Sequence, residues 1–233
     1  NIAKSGMKAN IARSGKRDSG IWMYNMEWVR DDSMFVLGLV QAGFFDEAKI
    51  ILTKMLERSV GADGRTIESS RWFGHDYPEL DQNGQLLYAV WSYLCWTGDE
   101  KFVRKHWNKL KLVADFPIQD VFWNKTARML RNKREYWERN DSFGFSDGFE
   151  LAYQFWVVLG LEKIVEVAEK LGDKEPVRRW RNAAQQIKSA MLDDPKFKLI
   201  EDGHFIKRRT LDGEWQHYVI PSNRKSMPPG SPI

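Results

Sequence analysis

The sequence predicts an all-α fold of helical hairpins arranged as an α/α toroid, with a small β-hairpin inserted near 198–220. Three observations carry this expectation. Period-two alternation is scarce before residue 198. Long apolar segments recur, punctuated by Gly or Gly-Asp, as expected of helices that end on a glycine. The two members of each paired segment also differ in a constant way, the first apolar nearly all round and the second amphipathic.

The first pair covers about 32–42 and 46–58 and turns at Gly43. The second covers about 80–97 and 100–115 and turns at Gly98-Asp99. The third covers about 147–171 and 174–192 and turns at Gly172-Asp173, with Pro176 tolerated in a first helical turn. Each pair reads as an αα-hairpin, and the turns are too far apart and too uneven for a repeat array of about 34 residues. The leading helices carry Met34-Phe-Val-Leu37, Leu86-Leu-Tyr-Ala-Val-Trp91 and Phe155-Trp-Val-Val-Leu159, which predicts burial on most sides. The returning helices carry stripes such as Val177, Trp180, Ala184, Ile187 and Met191, or Phe102, Val103, Trp107 and Leu110 set among lysines and arginines. Buried helices returned by amphipathic ones form an inner and an outer ring. Around Asp212-Gly213, the flanks His204-Phe-Ile-Lys-Arg-Arg209 and Trp215-Gln-His-Tyr-Val-Ile220 predict the β-hairpin at the rim.

The chain of 233 residues is 42% hydrophobic and 13% aromatic, too apolar for a disordered segment. With 36 Lys and Arg against 32 Asp and Glu, the formal charge of +4 gives no basic stripe and no reason to expect nucleic acid. The arginines and lysines of 125–139 lack an aromatic platform pattern and read as a solvated segment. No apolar run reaches the roughly 20 residues of a membrane span. Cys95 stands alone in Leu94-Cys95-Trp96, which excludes an internal disulfide and predicts a small buried thiol. It leans the compartment toward the cytoplasm, while the opening residues, without a hydrophobic leader, say nothing of it. The four histidines show no metal-ligand spacing, and no cofactor is expected.

Connectivity has a functional consequence. If each outer helix carries the chain back, the inner helices point alike and the segments entering them share one mouth. Those segments are Trp22-Met-Tyr-Asn-Met-Glu-Trp-Val-Arg-Asp-Asp32, then 70–84 with Trp72, His75, Asp76 and Asp81, then 135–148 with Trp137 and Glu138. Aromatic faces lie against sugar C–H patches while carboxylates and guanidinium groups bond hydroxyls. Hydrolysis of a glycosidic bond needs a carboxylic acid for the leaving oxygen and a carboxylate to activate water or attack carbon. This rim holds that inventory.

Tyr24-x-x-x-Trp28-x-Arg30-Asp31 before an apolar helix, Leu80-Asp-Gln-Asn-Gly84 before a second and Trp137-Glu138 before a third resemble the glucoamylase-type enzymes of glycoside hydrolase family 15. The likeness spans most of 20–192 and implies a six-hairpin α/α barrel. It implies an exo-acting, inverting hydrolase of α-linked glucosides or oligosaccharides, with Glu138 as general acid. It also implies that Arg30 and Asp31 grip the innermost sugar, with Tyr24 and Trp28 shaping that pocket. Trp72, His75, Asp81 and Trp137 complete the expected substrate contacts. By the same likeness the general base follows the third hairpin, beyond Ile233, so that 1–233 is expected to be one catalytic barrel domain truncated at one or both ends. Arg139 stands where the family carries a second acidic residue, and a guanidinium aimed at Glu138 would lower its pKa. The second motif lacks the family's Arg-Pro arrangement before Asp81.

Plainer roles stand beside these. Asp31 and Asp32 suit a helix first turn, the role given to Asp32, and Asp81 and Asn83 suit a cap. The tryptophans suit lids on the core, Glu138 a solvated loop charge, and His75 a structural contact. Asp31-Asp32-Ser-Met-Phe35 lacks the third aspartate of a magnesium-diphosphate box. A related sugar enzyme of other specificity, a phosphorylase, or a carbohydrate binder without catalysis are the competing readings.

Overall fold

Three helical hairpins turn where the glycines stand. The computed structural model describes residues 2–17, 26–72, 78–136 and 147–216. After a short helix α1 (Ile2–Ala9), the first hairpin pairs α2 (Val29–Ala42) with α3 (Phe45–Lys54), which runs on into a π-turn at Met55–Ser59. The second pairs α4 (Asp81–Thr97) with α5 (Glu100–Asp115), and the third pairs α6 (Leu151–Leu171) with α7 (Val177–Asp193). The leading helices end on Gly43, Gly98 and Gly172 with φ of 83°, 67° and 81°, a left-handed cap that costs glycine least.

The aspartate after the second and third of these glycines fastens its hairpin to the one before. Asp99 accepts from the Phe102 N–H at 3.0 Å and from Lys49 of α3 at 2.7 Å. Asp173 accepts from Trp107 Nε1 of α5 at 2.8 Å and pairs with Lys111 at 3.3 Å. The turn motif thus sets the spacing of neighbouring hairpins as well as their reversal.

Within this frame α4 packs between α2 and α6, and α3, α5 and α7 lie outside them. The stripe of α7 is buried as its spacing predicts, through Val177, Trp180, Ala184, Ile187 and Met191, with side chains the size of Val177, Ile187 and Met191 contributing about 1.5–3 kcal/mol each. At the α4–α6 crossing, a Cβ on Gly84 would sit 2.0 Å from the Trp156 carbonyl oxygen, so the backbones can meet only because glycine stands there. Gly84, read in the sequence as part of a mouth motif, is a packing residue.

The inner helices are less enclosed than their composition predicts. Met34 and Phe155 are exposed on sides of α2 and α6 that no described element covers. Cys95 is exposed, not buried, and Trp96 beside it is exposed too, because both fall in the last turn of α4 before the chain reverses. Among the described residues no helix is long and apolar enough to cross a membrane.

Strands fill the rim. β1 (Trp123–Asn124) pairs with β2 (Met129–Leu130), and β3 (Gly148–Glu150) precedes α6 in place of the helical start expected at 147. β4 (Ile200–Glu201) and β5 (His204–Phe205) form a hairpin at Asp202-Gly203 that the alternation did not indicate. The turn expected at Asp212-Gly213 is present, with an Arg209↔Trp215 bridge, and its later flank from 217 lies outside the described residues. β6 (Arg208–Thr210) does not stay within its hairpin: it pairs antiparallel with β3, in the register Gly148↔Thr210, Phe149↔Arg209 and Glu150↔Arg208. A second small core of Met129, Phe149, Met191, Phe197, Leu199 and Ile206 lies beneath these strands.

Candidate functional site at the mouth of the inner helices

The segments entering α2, α4 and α6 meet at one end of the molecule. Trp28 caps α2, so the helix begins at Val29, three residues before the start expected at Asp32. This places Arg30 and Asp31 in the first turn, where an acidic side chain is favoured. The Arg30 N–H donates to Gln82 Oε1 of α4 at 2.9 Å. Arg30 Nη1 lies 3.2 Å from Glu79 Oε2 and 3.6 Å from Asp81 Oδ2. The same guanidinium stands 4.6 Å over the Tyr136 ring, from the third segment, and donates to the Tyr136 carbonyl at 3.4 Å. Asp31 is 42% exposed, with Oδ2 3.8 Å from Arg30 Nε.

Beneath this surface lies a buried charge network. Asp81 is fully buried and accepts from Gln85 Nε2 at 2.9 Å. Glu79 stands between Arg30 and Arg134, 3.7 Å from Arg134 Nη2, and Arg134 pairs with buried Glu68. Burial pushes the Glu68 carboxyl up to about 7 and the Asp81 carboxyl up to about 6, against the pull of Arg134 and Arg30 respectively. Burial drives Glu79 upward as well, against Arg30. For Arg30, burial disfavours the charge, but the surrounding carboxylates, Glu79 first, outweigh it and hold the guanidinium protonated.

Further from the surface, β6 reaches the same segment. Arg208 is 0% exposed; it pairs with Glu150 at 3.3 Å and donates to the carbonyls of Asn132 and Arg134. Lys207 pairs with buried Glu135. Lys125 and Arg128 are exposed as expected, but Arg131 pairs with Asp147 and Arg134 is buried, so the later part of the described run is not the solvated segment its charge suggested. Those cations answer carboxylates that arrive from distant parts of the chain.

Of the residues singled out in the sequence, Arg30, Asp31 and Asp81 come together. Trp28 is 8% exposed and so offers no open ring face. Trp72 is 50% exposed, with Arg65 over its ring at 5.9 Å. Its loop joins the first segment through Ser70, whose N–H donates to the Glu27 carbonyl at 2.9 Å. Ser69 and Ser70 hold φ of 50° and 58°, an unusual conformation for non-glycine residues. Asp32 lies in the first turn of α2, as its sequence position predicts, and is buried there against Arg17 at 2.8 Å. Asp81 accepts no backbone cap bond, and Asn83 is spent inside, donating to the carbonyls of Gly64 and Val113. Tyr24, His75, Trp137 and Glu138 lie outside the described residues.

Sequence reasoning passed over Glu68, Glu79, Arg134, Tyr136 and Arg208. Glu79 directly precedes the Leu80-Asp-Gln-Asn-Gly84 motif, and a count of charges flanking that motif would have raised it. Nothing local marks Glu68 or Arg208. Among the described residues no three His, Cys, Asp or Glu side chains gather as a metal cage.

No family model matches the chain. Over 192 residues it is 27% identical to Trehalase 1 of Sulfolobus acidocaldarius, covering 70% of this chain and 32% of that protein. Among solved structures it is similar to a glycosidase, also solved as an E335A variant in complex with glucose, with TM-score 0.67, 14% identity, and coverage of 89% of this chain and 58% of that one. It is also similar to a D-mannose isomerase, with TM-score 0.60, 10% identity, and coverage of 91% and 56%. The chain therefore spans about a third of the curated relative and somewhat over half of these structures. The fold is of the α/α-barrel type seen in those enzymes.

Proposed function

We propose that the chain is part of a glycoside hydrolase that cleaves α-linked glucosides from a non-reducing end. The observation that carries this is the seating of Arg30, held on its inner side by Glu79 and Asp81 and laid over Tyr136, with the accessible Asp31 carboxylate beside it. A guanidinium and a carboxylate at that spacing suit two adjacent sugar hydroxyls, one accepting and one donating. The likeness to a trehalase supports the substrate class, and trehalose heads the list of substrates to try.

In this reading Glu138 protonates the leaving glycosidic oxygen as the C–O bond breaks. A second carboxylate, supplied beyond Ile233, removes a proton from the water that attacks the anomeric carbon from the opposite face. The two groups stand about 6.5–9.5 Å apart, and the configuration inverts. Trp28, Tyr24, Trp72, His75 and Trp137 shape the sugar pocket around them, and Asp81 acts from below through Arg30.

The test is Glu138→Gln in the full-length protein, assayed on trehalose, maltose and an aryl α-glucoside. Turnover is expected to fall by about 10³-fold or more with sugar binding nearly kept, as for loss of a group used only in the transition state. A variant that keeps most of its turnover ends the assignment. Running the assay with and without phosphate, and following the anomer released, separates hydrolysis from phosphorolysis and inversion from retention.

A further inference from the structure

Glu79 has no part in the chemistry just described, yet it lies directly beneath the mouth between two arginines. Its side chain is fully buried, and its two oxygens serve two different cations: Oε2 lies 3.2 Å from Arg30 Nη1, and Oε1 lies 3.7 Å from Arg134 Nη2. Its own N–H donates to Glu68, and Glu68 pairs in turn with Arg134. Neither Glu79 oxygen accepts an aligned hydrogen bond from a described residue, so its hold on the guanidinium groups is chiefly Coulombic: burial drives the carboxyl upward, and Arg30 and Arg134 favour the charged carboxylate against it.

Such a hold matters for Arg30 in particular. Its backbone is fixed in the α2 first turn, but the long side chain has several torsions to order before its head can meet a ligand. Glu79 and Asp81 draw Nη1 inward and the Tyr136 ring fixes the plane, which leaves Nε on the side of Asp31. A neutral amide could not replace Glu79. Glutamine offers one acceptor oxygen where two cations must be met, and its NH₂ would face the other guanidinium donor to donor.

We infer that Glu79 is a positioning residue for sugar binding: anchored through Arg134 to Glu68, it sets the Arg30 guanidinium so that its Asp31 side is presented to a pair of sugar hydroxyls. This rests on reading the mouth as a sugar site. The predicted signature is a loss of affinity, not of chemistry, because Glu79 touches neither the leaving oxygen nor the water.

The test uses the full-length protein with Glu79→Gln, Glu79→Asp and Arg30→Lys. Trehalose and maltose serve as substrates and glucose as competitive inhibitor. Glu79→Gln is expected to raise KM and the glucose Ki about tenfold, with kcat within about threefold, and Glu79→Asp to recover part of the affinity by restoring the charge. Unchanged KM and Ki in a folded Glu79→Gln protein, while Arg30→Lys raises both, overturns the inference and leaves the sugar-site reading standing. A readout without sugar is the Arg30 Nε–H NMR signal of the unliganded protein, which should be sharp in the parent chain and broadened in Glu79→Gln. If no sugar binds or reacts, the reading of the site fails and this signal alone decides whether Glu79 sets Arg30. A signal that Glu79→Gln leaves unchanged refutes the positioning role.

Discussion

Arg30 Nη1 lies 3.6 Å from Asp81 Oδ2, a contact that ties the first turn of α2 to the first residue of α4 in a place where the carboxylate has no access to solvent. Residues far apart in the chain meet there because their helices point the same way. The contact is also costly to break, since either partner alone would be a buried charge with too few counter-charges.

Replacing Arg30 by Met should therefore destabilise the fold by about 3–5 kcal/mol, as expected for breaking a buried pair from one side. Adding Asp81→Asn to that variant should recover part of the loss, because it removes the orphaned carboxylate. Urea unfolding of the three proteins measures both effects. A loss below about 1 kcal/mol for Arg30→Met would mean that the pair is more solvated than its burial indicates.

Gly84→Ala places a methyl group 2.0 Å from the Trp156 carbonyl oxygen at the α4–α6 crossing. Forcing the helices apart should cost about 1–3 kcal/mol, read as a fall in Tm of several degrees. Gly160, whose added Cβ would meet the backbone of Gly84 at 2.6 Å, shares the crossing. The double alanine variant should thus cost less than the two single losses together.

Arg208→Met removes a fully buried guanidinium from Glu150 and from the carbonyls of Asn132 and Arg134. The expected loss is again about 3–5 kcal/mol, larger than that of Glu150→Gln, which leaves the carbonyl contacts in place. Proteolysis of the native protein should find new cleavage near 132–136 in Arg208→Met. Equal stability of the two variants would assign the whole effect to the ion pair.

The pH dependence of stability follows from burial. Burial raises Glu68 and Glu150 from an ordinary 4.5 to about 7, and Asp81 from 3.8 to about 6, against nearby arginines. The folded chain thus holds protons that the unfolded chain releases, so this contribution is complete below about pH 4 and is lost as pH rises through 6 to 7. Asp99, held low first by its bond from Lys49, and Asp173, held low first by Trp107, work the other way, and their contribution is lost on strong acidification. Thermal unfolding should give a higher Tm at pH 5 than at pH 8, and Glu150→Gln should flatten that slope. A Tm that rises steadily from pH 5 to pH 8 would contradict the assignment.

Much of this protein is written locally. The glycine turns, the amphipathic stripes of α5 and α7 and the gathering of Arg30, Asp31 and Asp81 follow from periodicity, end signals and the direction of successive helices. Each depends on residues within a few turns of one another, or on simple connectivity. What the sequence alone could not determine depends on partners brought from elsewhere. Arg134 reads as a solvated charge until Glu68 and Glu79 are placed beside it, and nothing in the sequence gives Asp32 its buried partner Arg17. Cys95 reads as buried until α4 is seen to end at the surface. Gly84 reads as part of a binding motif until α6 crosses it, and β6 as half of a local hairpin until it pairs with β3. Charge pairing, close backbone approach and strand pairing act through space, and their energies depend on burial and distance, which only the folded chain fixes.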